Sequence, residues 1–126
     1  MSADGARGEN DGARAVRDYI DGIAPAQRPL FERLHDIVVA AHPEAELSMA
    51  YDMPAYRVGR RRLSLGAWSH GVSVYGWRRD NDGGFAARHP DLLQGKATMR
   101  ISNAAAASLG DDELRRLLEG ALEPGG

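Results

Sequence analysis

The hydrophobic positions change period twice along the chain. Over residues 12–21, Val16, Tyr19 and Ile20 recur at i, i+3 and i+4, the spacing of one helix face. Gly22 stands where that helix would end. Leu30, Phe31, Leu34, Ile37, Val38 and Ala41 form a longer stripe at the same spacing, with Arg28, Glu32, Arg33 and Asp36 opposite. Pro25 or Pro29 fits the first turn of this second helix, where a missing N–H costs little. Pro43 stops it near His42.

After Pro43 the pattern alternates. Leu47, Met49 and Tyr51 interleave with Glu46, Ser48 and Ala50, as in a half-buried strand. Pro54 is expected to interrupt it, with a short strand resuming over residues 55–58. Gly59 and Ser69-His70-Gly71 mark turns that bound strands over 62–68 and 72–77. Asp80-Asn81-Asp82-Gly83-Gly84 is a loop, and residues 85–93 read as short helical turns broken at Pro90. A last strand covers 97–102, with Met99 and Ile101 inward. Leu114, Leu117, Leu118, Ala121 and Leu122 mark a C-terminal helix whose first turn carries Asp111, Asp112 and Glu113. Closely spaced strands joined by short turns pair antiparallel. The pattern therefore predicts an α+β domain: a single antiparallel sheet of about five strands packed on N-terminal and C-terminal helices.

Sorting the strands by alternation gives two unlike faces. Leu63, Leu65, Ala67, Val72, Val74, Met99 and Ile101 form the face that must bury against the helices. Ser64, Gly66, Trp68, Ser73, Tyr75, Trp77, Thr98 and Arg100 form the other. Aromatics among small residues beside a cation serve either cross-strand pairing, under a returning loop, or a binding surface. An exposed aromatic face is equally a seam for a homodimer.

Composition narrows the chemistry. The 126 residues suit one domain. The expected boundaries are a disordered arm over 1–11, the folded unit over 12–123 and a frayed end over 124–126. Sixteen basic against eighteen acidic residues give a net charge of −2, which supplies no global attraction for nucleic acid or anionic membranes. Without cysteine there is no disulfide framework, thiolate nucleophile or cysteine-ligated zinc. No stretch has the apolar length of a signal peptide or a membrane span, so a cytoplasmic, non-membrane protein is expected.

No catalytic motif is recognisable, and an enzyme is not expected. His35, His42, His70 and His89 show no i, i+4 pair of the zinc-binding kind. The loop from Asp80 opens like a calcium site, but its sixth and twelfth places hold Phe85 and Asp91. G-x-S-x-G and the phosphate-binding glycine motifs are absent. Arg57, Arg60, Arg61 and Arg62 flank a hairpin turn and Arg78 and Arg79 follow the next strand. Interleaved with aromatics, these offer a route to nucleic-acid contact.

Tyr51-Asp52-Met53-Pro54-Ala55-Tyr56, preceded by Pro43-Glu44-Ala45-Glu46, resembles the Y-x-M-P-x-Y signature of the YdhG-like family of small bacterial domains. Val16, Tyr19, Ile20 and Gly22 resemble its opening helix, Leu30, Leu34 and Ile37 its long helix, and residues 96–101 its late strand. The resemblance implies the same α+β fold and a function that is largely unknown. One branch has been described as a frataxin-like iron chaperone, for which Asp18, Asp21, Asp36, Glu44 and Glu46 would be the oxygen ligands here. No other cofactor is expected. Taken together, the residues point to a binding domain for a small ligand or protein partner. Its expected pocket is lined by Tyr51, Met53, Pro54, Tyr56, Trp68, Tyr75, Trp77, Lys96 and Arg100, the two cations favouring an anionic or carbonyl-bearing ligand.

Overall fold

The apolar stripes and the alternating run build two layers. The computed structural model describes residues 2–95 and 97–123, with residues 2–10 given by their backbone alone. Lys96 and the end expected to fray, 124–126, lie outside the described residues. Helix α1 (Ser2–Asp21) is followed by α2 (Arg28–Ala41). Four strands come next: β1 (Glu46–Ala50), β2 (Met53–Val58), β3 (Arg61–Trp68) and β4 (Gly71–Tyr75). A short helix α3 (Phe85–Arg88) leads to β5 (Leu93–Gln94) and β6 (Thr98–Ser102). Helices α4 (Asn103–Ala106) and α5 (Asp111–Leu122) end the chain. The backbone of α1 is helical from Ser2, upstream of the Gly12 start that the pattern predicts. Among the described residues no helix is long and apolar enough to cross a membrane.

The strands form one antiparallel sheet in the order β1-β2-β3-β4-β6-β5. The strand beyond the expected five is β5, two residues long, in a segment whose composition predicts helical turns. Pro54 lies inside β2 and does not break it. It sits opposite Met49 near the hairpin end, before the register with β3 begins at Ala55, where a missing N–H is tolerated. One edge is lined by α1, whose Gly12 lies against the Leu47 carbonyl, and the other is the two-residue β5. Short or covered edges resist pairing with other chains.

Leu63, Leu65, Val72, Val74, Met99 and Ile101 are all fully buried on the helix side, as alternation requires. They meet Leu34 and Val38 of α2 and Leu114, Leu117 and Leu118 of α5 in one core. Arg33 ties α2 to the α4–α5 connection: its guanidinium donates to the Asp111 carboxylate at 2.7 Å and to the carbonyls of Ala106 at 3.0 Å and Leu109 at 2.6 Å. Each such charge-assisted bond satisfies an acceptor near a helix end.

Two histidines give the fold opposing pH dependences. His35 lies 2.8 Å from the hydroxyl of the fully buried Tyr56, and burial pushes its imidazole below the ordinary value of 6.5. Between its folded value and 6.5 the unfolded chain binds more protons, so this stability is whole above pH 6.5 and falls away as the pH drops. For His42 burial pulls downward, but the Glu119 carbonyl at 2.9 Å and the Glu44 carboxylate at 3.3 Å outweigh it and raise the value. Its contribution is whole below pH 6.5 and is lost as the pH rises through the raised folded value. Urea midpoints of a His35→Asn variant are therefore expected to improve from pH 7.5 to pH 5.5 (roughly the window of these shifts) relative to wild type. Parallel curves for the two proteins would refute the assignment.

Candidate functional site

Register, rather than proximity in sequence, assembles the second face of the sheet. Ser48, Ala55, Ser64, Tyr75, Thr98 and Gln94 make one transverse row across all six strands. The row nearer the β3–β4 turn runs through Met53, Gly66, Ser73 and Arg100, and Trp68 lies one row beyond. On the other side Glu46, Arg57 and Arg62 are paired across β1, β2 and β3. No strand residue of this face belongs to the core cluster. Among the described residues α2 and α5 pack on the opposite side, and Arg57, Arg62, Tyr75 and Arg100 of this face are exposed.

Its floor is made of small side chains. Ala55, Ser64 and Ser73 are buried beneath taller neighbours. A Cβ on Gly66 would sit 3.3 Å from the Met53 Sδ and 3.8 Å from the Tyr75 ring, so glycine lets these two side chains close over the strand. Tyr75 is 38% exposed at the rim. On the same face the Arg100 guanidinium lies over the Trp68 ring, 4.6 Å from its centroid, and His70 meets the same indole edge-on at 5.4 Å. Stacking of this kind holds a cation in place by roughly 0.5–1 kcal/mol at an exposed site. Among the described residues Arg100 makes no hydrogen bond or ion pair, and it is exposed, so its five N–H donors are open to a ligand. The Trp68 indole N–H is buried without an acceptor.

Of the nine residues expected to line a pocket, four meet here: Met53, Trp68, Tyr75 and Arg100. Lys96 lies outside the described residues. The other four go elsewhere for identifiable reasons. Tyr51 is not an inward strand residue. It forms the β1–β2 turn with Asp52, at φ 54° and 61°, and is 88% exposed. A two-residue hairpin turn of this type needs positive φ at both places, and Tyr-Asp lacks the asparagine or glycine that would have announced it. Pro54 is buried on the opposite face, beside Met49. Tyr56 pairs with Leu47 and Leu63, which puts it on the helix side in the core. Trp77 leaves the ladder at Gly76, whose φ of 93° redirects the chain, and its ring enters the core at 9% exposure. His70 and Arg62 are absent from the expected pocket: His70 lies in the β3–β4 turn, and Arg62 joins this face through its pairing with Arg57.

A second concavity of about 570 Å³ lies between the α1–α2 connection and the β3–β4 turn, lined by Asp18, Tyr19, Ile23, Gln27, Ala67 and Trp68. Its Tyr19 hydroxyl accepts from Ala67 N at 2.9 Å and its Gln27 amide donates to the Ser69 carbonyl at 2.5 Å, and its one charged group is the Asp18 carboxylate. That leaves the sheet face with the better-placed donors. The carboxylates that the family resemblance offers for iron do not converge. Asp21 pairs with Arg17, Glu44 with His42 and Glu46 with Arg57. Among the described residues no three histidine, aspartate or glutamate side chains come together as a metal site. No family model matches the chain, and neither curated proteins nor solved structures give a match.

Proposed function

We propose that this chain is a non-enzymatic binding domain that takes a flat, anionic ligand on the helix-free face of its sheet. The observation that supports the reading is Arg100. Its guanidinium is held over Trp68 with every donor unengaged, beside an exposed Tyr75 and a floor of small residues. A carboxylate or phosphate would take the fork of Arg100 in a bidentate bond. A planar group would stack on the exposed Tyr75 ring. An acceptor reaching the Trp68 indole N–H would relieve a buried donor whose desolvation costs about 1–3 kcal/mol unpaired. Kinship with YdhG-like domains belongs to the same proposal, and rests on the Tyr51–Tyr56 segment, of which Met53 contributes to this face.

The two tryptophans make the test internally controlled. In a two-dimensional NMR titration with a mononucleotide or with 2-naphthoate, the Trp68 indole resonance is expected to shift saturably. The core-bound Trp77 resonance should stay in place. Arg100→Ala should weaken binding about tenfold or more, the worth of one charge-assisted contact, with Trp77 unmoved as proof of an intact fold. The reading is overturned if neither probe moves Trp68, or if Arg100→Ala binds as well as wild type.

A further inference from the structure

Resting on that reading, we infer that the ligand of this face is a single-stranded nucleic acid, laid diagonally across the sheet from Arg62 to Arg100. The chain has a net charge of −2, yet the strands carry Arg57, Arg62 and Arg100 on this face against one carboxylate, Glu46. The other seventeen acidic residues lie in helices and connections. Folding thus gathers exposed positive charge on one face of the sheet, where a global count shows none.

Spacing then separates a polymer from a small ion. Arg57 is engaged with Glu46 at 2.5 Å, whereas Arg62 and Arg100 have no hydrogen bond or ion pair among the described residues. Arg62 is on β3 and Arg100 on β6, two strands across and two rows along. With strands about 4.8 Å apart and about 3.4 Å per residue, their Cα atoms are about 17 Å from one another. A single carboxylate or phosphate reaches one of them. An extended polyanion reaches both.

What lies between the two cations selects the kind of polyanion. Tyr75 stands at the midpoint of the diagonal, on the strand between β3 and β6 and in the row between the two arginines. The Trp68–Arg100 stack closes the far end. Ser64 and Ser73 are buried and Gly66 is closed over by Met53 and Tyr75, so a flat ring would stack on the exposed Tyr75 ring itself. Alternating phosphates and bases match an alternation of guanidinium and ring, because every base has a π-face to stack. An acidic peptide would satisfy the charges and leave the rings unmatched.

The test is fluorescence anisotropy with a labelled oligouridylate and oligothymidylate of about 12 nucleotides, enough to cross one such face. Salt is varied from about 20 to 200 mM. Removing one phosphate contact, by Arg62→Ala or Arg100→Ala, is expected to flatten the slope of log K against log salt by about 0.7. Tyr75→Ala should weaken binding about tenfold and leave that slope unchanged, since stacking releases no counterion. Arg115→Ala on α5 serves as the remote control, with no change expected. The inference is overturned if the oligonucleotides bind no more tightly than a mononucleotide, or if Arg62→Ala is without effect. In either case a Trp68 shift with the mononucleotide would leave the binding-face reading standing, whereas silence from both ligands would end both. Displacement by polyglutamate at equal concentration would assign the face to an acidic protein partner and also overturn the inference.

Discussion

A chain carrying Gly76→Val is expected to lose about 3 kcal/mol or more of unfolding free energy, seen as a large drop in the urea midpoint. Two costs coincide at this position. Gly76 has φ 93°, a conformation that a β-branched residue adopts only under strain. A Cβ there would also collide with the Arg62 carbonyl, which is backbone of the neighbouring strand and cannot swing aside. Gly59 supplies the comparison. It has φ 59° with nothing within 4 Å of the place a Cβ would take, so Gly59→Ala should cost only about 1 kcal/mol, the conformational part alone. Equal losses in the two variants would show that the close approach at Gly76 carries no weight. The larger loss has a structural meaning: Gly76 ends β4 and sends Trp77 into the core.

Tyr56→Ala is the second large effect, with an expected loss of about 3–5 kcal/mol, as for other large aromatics removed from a core. The ring is fully buried between Leu47 and Leu63 on the helix side. Tyr56→Phe separates the hydroxyl from the ring and should cost about 1 kcal/mol. Burial pushes the Tyr56 hydroxyl well above its ordinary value, so it stays protonated 2.8 Å from Nδ1 of His35, and with the Nε2–H tautomer of the neutral imidazole it is the donor. Without that donor the neutral imidazole is less favoured. The loss of stability below pH 6.5 is therefore expected to shrink in Tyr56→Phe, which a midpoint series against pH would show. An unchanged pH series would mean that burial alone depresses His35.

Much of this is legible in residue order. The i, i+3, i+4 stripe of Leu30, Phe31, Leu34 and Val38 becomes the buried side of α2, and the alternation from Leu63 to Val74 sorts into core and solvent faces. Alternation also identifies the polar face down to Trp68, Tyr75 and Arg100. The misplacements at Tyr51 and Trp77 share one cause. Alternation extends on paper past the real strand ends, through the turn at Tyr51 and past Gly76 to Trp77. Period-2 patterning describes a residue only while the ladder continues, and one positive φ is enough to cancel it. Tyr56 is a different case: it follows Met53 by three residues, an odd number, and so must face the other way.

By itself the chain determined the layers, the antiparallel pairing and which strand faces could be apolar, because these follow from local periodicity and from turns too short for any crossover. Tertiary structure alone decided which strands are neighbours. Inserting β6 between β4 and β5 brings Arg100 over Trp68, residues 32 positions apart in sequence but two strands apart in the sheet. Pairing of distant segments depends on how the whole core closes, and no local pattern encodes it. The same closure set Arg57, Arg62 and Arg100 on one face of the sheet with Glu46 as its one strand carboxylate, an imbalance that a count over the sequence averages away.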